Sequence, residues 1–288
     1  METALTATDR RTFLRTLSAG AAGWLLADRL SASTGPGDSS LDRIGVQLYT
    51  VRDAMAKDFE GTLGKVAAIG YKEVEFAGYF DRSPKEIRAI LDRNALTSPA
   101  AHVPITALGN AWPVTLDAAN AIGHEYLVVA WTPAEERQTL DAWHRIAERF
   151  SIAAVQARQA GIGFAYHNHD YEFVPMEGRT PFDVLLAETD PKLVLMEMDL
   201  YWITKAGRNP LDYFAKYPGR TRMVHVKDSK GPPDHVMTEV GAGTIDFRRI
   251  FAQRKLAGIE HFFVEHDEPA DPFASIRASY QYLRNLRF

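Results

Sequence analysis

The chain reads as one α/β domain, a closed (β/α)8 barrel of parallel strands. Three observations predict this. Eight short apolar runs alternate with helix-like segments over residues 42–288. Polar and charged residues recur at the C-terminal ends of those runs, where a barrel gathers its functional groups. No Gly-x-Gly-x-x-Gly fingerprint follows the first run, which disfavours a doubly wound open sheet, the structural alternative.

The elements follow in order. IGVQLY (44–49) is the first strand, and a helical stretch around 57–69 follows it until Gly70. After the second strand, YKEVEF (71–76), the run Ser83-Pro84-Lys85-Glu86 supplies a capping serine, a first-turn proline and a glutamate that can close the box. That helix should reach Asn94. LTSPAAHVP (96–104) is the third strand, and a shorter connection around 113–122 leads to EYLVVAW (125–131). Thr132-Pro133-Ala134-Glu135 then offers a helix start, with the helix reaching Gln159. Further strand–helix pairs begin at 162, 193, 222 and 260, and the last helix runs from Asp271-Pro272 to near Leu286.

The beginning of the chain reads differently. Arg10 and Arg11 precede Thr12, Phe13 and Leu14, and then the mostly apolar run LSAGAAGWLLA (17–27). A charged start, a short apolar stretch and small residues downstream are the pattern of an export signal. DRRTFLR (9–15) resembles the twin-arginine signals of bacteria, which implies a transient encounter with that export machinery and a periplasmic or otherwise exported protein. Residues 1–32 are therefore expected to be the signal, 33–41 a flexible linker rich in Ser and Gly, and 42–288 a single barrel domain.

Composition narrows the function. The 288 residues carry 33 Lys+Arg against 37 Asp+Glu, a net charge of -4, which leaves no basic footprint for nucleic acid. With no cysteine there are neither disulfides nor thiolate metal sites. A homo-oligomer is compatible with this composition but not indicated by it.

Chemistry-bearing residues sit where a barrel mouth would collect them. Asp199 ends VLMEMD (194–199), His225 lies in MVHV (223–226), Glu265 in HFFVEHD (261–267), and His167 and His169 in GIGFAYHNHD (161–170). Along a strand, side chains two apart share a face. His167 thus pairs with His169, Glu197 with Asp199, His225 with Lys227, and Glu265 with Asp267. Four segments can then surround one divalent ion, and mixed imidazole and carboxylate donors suit Mn2+ foremost, with Zn2+, Co2+ or Fe2+ as alternatives. Each residue also has a plainer reading. His225 can be a packed core histidine, Asp199 a helix cap, Glu265 the partner of an arginine, and His167–Asp170 a hydrogen-bonded turn.

The segments IGVQLYTVRD (44–53), GYKEVEF (70–76), AYHNHDYEF (165–173), MDLYWITKAG (198–207), MVHVKD (223–228), VGAGTIDF (240–247) and FFVEHD (262–267) carry a resemblance. Over residues 42–286 the chain is similar to the sugar phosphate isomerase/epimerase family, the xylose-isomerase-like barrels. The resemblance implies a metal held by two glutamates, an aspartate and a histidine from four strand ends. Asp199, His225 and Glu265 match three of these. At the fourth, His167-Asn168-His169 stands where the family has a glutamate, so His167 takes its place. Trp202 replaces the histidine that the family often carries three residues after the aspartate, offering an apolar wall for a sugar.

These residues imply metal-dependent isomerisation or epimerisation of a sugar or keto-sugar, through an enediolate formed by proton transfer. Glu265, His167 and His169 are the catalytic candidates. His102, Glu75, Trp202 and Lys227 are the substrate-binding candidates, with Arg222 and Glu197 as further polar groups and Trp112 and Trp131 as weaker rim candidates; Glu75 can instead form a structural ion pair, and Trp202 and His102 can simply pack. The loss of one family glutamate brings in a competitor, a lyase or hydrolase of a 3-keto-glycoside. A carbohydrate-binding barrel without turnover is the reading from another class. VGAGTIDF is expected to be a tight turn before a helix, or else an anion site built from glycine amides.

Overall fold

The computed structural model describes residues 39–288. The expected export signal, and the linker up to residue 38, lie outside the described residues. Among the described residues, no helix is long and apolar enough to cross a membrane.

Eight parallel strands close a barrel: β1 (Gly45–Gln47), β2 (Glu73–Phe76), β3 (Thr97–Val103), β4 (Tyr126–Val129), β5 (Gly163–His167), β6 (Val194–Asp199), β7 (Thr221–Val226) and β8 (His261–Val264). Each pairs with its neighbours in chain order, and β1 closes on β8 with Gly45 opposite Phe263. All eight coincide with the expected strands. Closure needs room at that seam. A Cβ on Gly45 would stand 2.5 Å from the Phe263 ring, so the first strand begins on the residue that leaves the space.

Two hydrophobic sets build the molecule. Between sheet and helices lies the larger one, with Trp112, Trp143, Phe164, Phe182 and Phe251 among its buried members. Inside the barrel, Ala100, Val128, Ala165, Met223 and Phe263 form a small apolar plug. Two residues further along their strands, the same inward face carries His102, His167, His225 and Glu265. The interior thus turns from apolar to titratable within one strand repeat, toward the C-terminal mouth.

Caps set several helix starts. Ser83 and Glu86 make the reciprocal capping box, with Pro84 in the first turn. Asp271 accepts from the amides of Phe273 and Ala274 to start the last helix, Pro272–Asn285. The helix expected around 57–69 is Phe59–Ile69, capped by Asp58 through Gly61 N, with a short helix Arg52–Lys57 before it. Two expectations are corrected. The connection 113–122 is a full helix, Trp112–Ile122, entered through Pro113. The helix expected from Thr132 begins at Leu140, capped by Thr139, with only a short 3-10 turn at Ala134–Glu136 before it.

The glycine loop is a turn, and its amides already have an anion. Asp228 accepts from the amides of Gly241, Gly243 and Ile245 at 2.9–3.2 Å. A Cβ on Gly243 would sit 2.2 Å from that carboxylate, so the close approach itself requires glycine. No amide of this set is left to bind a substrate anion.

Candidate metal centre

The barrel's strand register assembles the site. Asp199 lies opposite His225 across β6 and β7, and His167 opposite Glu197 across β5 and β6. Glu265 follows the last residue of β8, two beyond Phe263, which itself lies opposite His225. One donor atom each from Asp199, His225 and Glu265 falls within 4.8 Å of the others, and all three residues are buried. A second group, His102, His167, Glu197 and His225, meets the same criterion and shares His225.

Both nitrogens of His225 face carboxylates. Nδ1 is 2.7 Å from Glu265 Oε2, and Nε2 is 2.6 Å from Glu75 Oε2 and 3.2 Å from Glu197 Oε2. Burial opposes charge on the ring, but Glu197, Glu265 and Glu75 outweigh it and raise its pKa well above the ordinary value. Ligation through Nδ1 requires only that proton to leave, while Nε2–H continues to donate to Glu75.

Asp199 divides its carboxylate between two tasks. Oδ1 accepts from the amides of Tyr201 and Trp202, each at 2.9 Å, and so caps the helix Leu200–Lys205. Oδ2 is buried with no hydrogen bond of good geometry, 3.1 Å from Lys227 Nζ and 3.6 Å from His167 Nε2. Burial pushes this carboxyl up to about 6, with Lys227 and then His225 pulling it down. The cap and the donor readings of Asp199 therefore coexist.

Lys227 is buried, not a surface cation. Its ammonium lies 2.6 Å from Glu265 Oε2, 2.8 Å from Asp267 Oδ1 and 3.1 Å from Asp199 Oδ2. Arg222 takes the surface placement instead, paired with Glu260 at 2.5 Å. Glu197 Oε2 collects His102 Nε2 at 2.7 Å and His167 Nδ1 at 3.1 Å. Burial, then the charge of His225, bring His167 down to about 3. His169 lies beyond β5 with Nδ1 unpartnered, its ring stacked on Tyr171. Burial also carries its pKa well below the ordinary range, so the imidazole is neutral.

A cavity of about 390 Å³ opens on this cluster, lined by His102, His167, His169, Lys227, Glu265 and, at the rim, Tyr49 and Trp131. A larger one, about 870 Å³, lies at the opposite end of the barrel and holds none of these residues. Three of the side chains weighed as substrate contacts lie away from the cavity lining. Glu75 is wholly buried beneath the cavity, where it accepts from Gln47 Nε2 at 2.8 Å and holds His225. Burial, then the neighbouring Glu197, push it up to about 7. Trp202 does not line the cavity; it packs on His169 with ring centroids 5.4 Å apart. Trp112 is in the core, donating to Ala153 O, whereas Trp131 is half exposed at the rim. Gln47 escaped the sequence reading, although a lone polar residue in the apolar first strand was the signal for it.

The donors fit a divalent cation. Five carboxylates (Glu75, Glu197, Asp199, Glu265 and Asp267) face the cationic Lys227 and the imidazoles His102 and His225, leaving a local excess of negative charge. Three of their buried oxygens, Glu75 Oε1, Glu197 Oε1 and Asp199 Oδ2, lack hydrogen-bond partners. Mixed nitrogen and oxygen donors with no thiolate are the set for such an ion.

Residues 63–286 match the xylose-isomerase-like TIM barrel family. The chain belongs to that family. Among relatives of this xylose-isomerase-like barrel, an inosose dehydratase of Lacticaseibacillus casei is 24% identical over 265 aligned residues, covering 78% of this chain and 88% of that protein. Two crystal structures of sugar phosphate isomerase/epimerase proteins from Parabacteroides distasonis share the fold. One has a TM-score of 0.74 at 23% identity, covering 90% of this chain and 97% of the other. For the second the values are 0.73, 26%, 83% and 96%. Fold, donor set and cavity make this xylose-isomerase-like barrel a metal-binding enzyme.

Proposed function

We propose that the protein is a metal-dependent carbon–oxygen lyase acting on a polyhydroxylated ketone, removing the proton beside the carbonyl and expelling an oxygen substituent from the next carbon. The observation that carries this reading is the neutral imidazole of His169, whose Nδ1 is unpartnered where it lines the cavity with Glu265 and Lys227, whereas the other neutral imidazole, His167, is bonded to Glu197. Epimerisation needs a base on each face of the substrate. Elimination needs one base and one acid. Here the second family glutamate is His167, whose Nδ1 is already bonded to Glu197. The similarity to inosose dehydratases, named for removing water from an inosose, supports the same choice over the isomerase expected from sequence.

Asp199, His225 and Glu265 would hold the ion, with His167 as the fourth donor. Such an ion polarises the substrate carbonyl and stabilises enolate charge. His169 would take the proton from carbon. The pair left by that C–H bond becomes the enolate, and its return breaks the neighbouring C–O bond. The leaving oxygen takes up a proton, for which His102, also lining the cavity, is the candidate donor. Trp131 and Tyr49 at the rim give an apolar edge to a sugar ring. Water or an alcohol can be the leaving group, so keto-glycosides fall within the substrate class. Arg10 and Arg11 add the proposal that the reaction takes place outside the cytoplasm, which fractionation of cells expressing the full chain would test.

The test is incubation of Mn2+-loaded protein with an inosose, a 3-keto-glycoside and a ketohexose in D2O. Formation of an unsaturated ketone, or release of the alcohol from the glycoside, is expected. Deuterium uptake with epimer formation and no C–O cleavage would return the isomerase reading. Binding without either reaction would leave a carbohydrate-binding barrel.

A further inference from the structure

Lys227 and a divalent ion would compete for the same oxygens. The ammonium touches Glu265 Oε2 at 2.6 Å, the oxygen that also receives His225 Nδ1 at 2.7 Å. It also lies 3.1 Å from the unpartnered Asp199 Oδ2. A dication placed among these donors would meet a positive charge within a few ångströms, in a buried setting that screens poorly. Lysine's flexible stem lets the head group move, whereas the carboxylates are fixed by a strand end and a helix cap. A third carboxylate stands on the cavity side. Asp267 Oδ1 is 2.8 Å from the ammonium, and its side chain is 28% exposed at the rim, against 3% for Lys227.

Resting on the metal-site reading above, we propose that Lys227 is a built-in competitor that sets metal affinity, with Asp267 as the seat to which its ammonium withdraws when an ion takes Asp199 and Glu265. Loading the site then turns a cation toward the cavity lined by His102, His169 and Glu268. The same lysine compensates the carboxylates whenever the ion is gone. Affinity for the ion is accordingly lower than the donor set alone would give.

The prediction has opposite signs at two neighbouring residues. In Lys227→Met the competitor is removed, and Mn2+ should bind about tenfold tighter. In Asp267→Asn the seat is lost, and Mn2+ should bind about tenfold more weakly, a span typical of directly coupled residues. In the double variant the Asp267→Asn effect should vanish, because Asp267 acts through Lys227. Lys227→Arg, which keeps the charge, should stay near the wild type. The measurement is Mn2+ titration of chelator-treated full-length protein by calorimetry, with the rise in Tm on adding Mn2+ as a second readout, largest in Lys227→Met.

Unchanged or weaker binding in Lys227→Met would overturn the proposal while leaving the metal site intact. Should Lys227→Met fail to fold, Asp267→Asn decides alone, and wild-type affinity there overturns it. No Mn2+ uptake by any variant, wild type included, would overturn the metal reading and this inference together.

Discussion

Glu75 Oε2 lies 2.6 Å from His225 Nε2, a contact between residues 150 positions apart that barrel closure brings together. The carboxylate is wholly buried and is itself held by Gln47. It aims the imidazole so that the opposite nitrogen faces Glu265, and it makes that nitrogen a better donor to a cation. Glu75→Gln keeps shape and volume while removing the charge. Metal affinity should fall about ten- to a hundredfold, the usual cost of losing such a partner, with little change in fold. Calorimetric titration with Mn2+ checks this, and wild-type affinity would show that Glu75 merely packs.

Asp199 can be dissected because its two oxygens do different work. In Asp199→Asn the amide oxygen can still accept from Tyr201 N and Trp202 N, so the helix cap survives while the donor charge is lost. Metal binding should collapse without a stability loss. Asp199→Ala removes the cap as well and should cost about 1 kcal/mol more in unfolding free energy. Urea denaturation of both metal-free variants, compared with their metal content after equilibration, separates the two roles. Equal stability of the two would remove the cap from the account.

His169 is held through its backbone, whose amide donates to Glu172 at 2.8 Å, and through stacking on Tyr171. Neither contact uses its free Nδ1. His169→Asn should therefore leave the loop and the metal site in place while removing the base. Turnover of a keto-polyol should drop about a hundredfold or more at unchanged metal content, within the usual range for loss of a general base. A variant as active as wild type would move the base to Glu265.

Much of this was legible along the chain, because it depends on local rules. The strand runs, the Ser83 box and the Asp271 cap need only neighbours a few residues away. The two-residue period likewise gathered His167, Asp199, His225 and Glu265 at one mouth. What the chain could not disclose depends on contacts across the barrel. Glu75 could be read as a substrate contact or as an ion-pair partner, and only closure supplies the partner, His225, beneath the cavity. Lys227 looked as able to reach solvent as Arg222, yet three carboxylates from two other strands enclose it. The amides of Gly241 and Gly243 looked open to an anion until Asp228, from the loop after β7, filled them. Trp112 and Trp131 differ in burial because one opens a helix packed on Phe164 while the other follows β4 at the rim.

Away from the site, His124 links the fold to pH. Its Nδ1–H donates to Ser98 O at 2.7 Å, and Nε2 accepts from Tyr79 OH at 3.0 Å, which fixes a neutral ring. Burial lowers its pKa from 6.5 to about 4. The unfolded chain therefore binds a proton that the folded chain refuses across this window. Stability is complete above pH 6.5 and is lost as the pH falls toward 4, by about 3 kcal/mol in all at about 1.4 kcal/mol per pH unit. Glu172 works in the other direction. Burial raises it from 4.5 to about 7, so its share of stability is lost as the pH rises through that range. Comparing urea unfolding of wild type and His124→Asn at each pH cancels the Glu172 contribution. The wild-type advantage at pH 7 should shrink steadily down to pH 4. An advantage independent of pH would mean that His124 titrates in the fold as it does in the unfolded chain, and an advantage growing toward low pH that it is held protonated there.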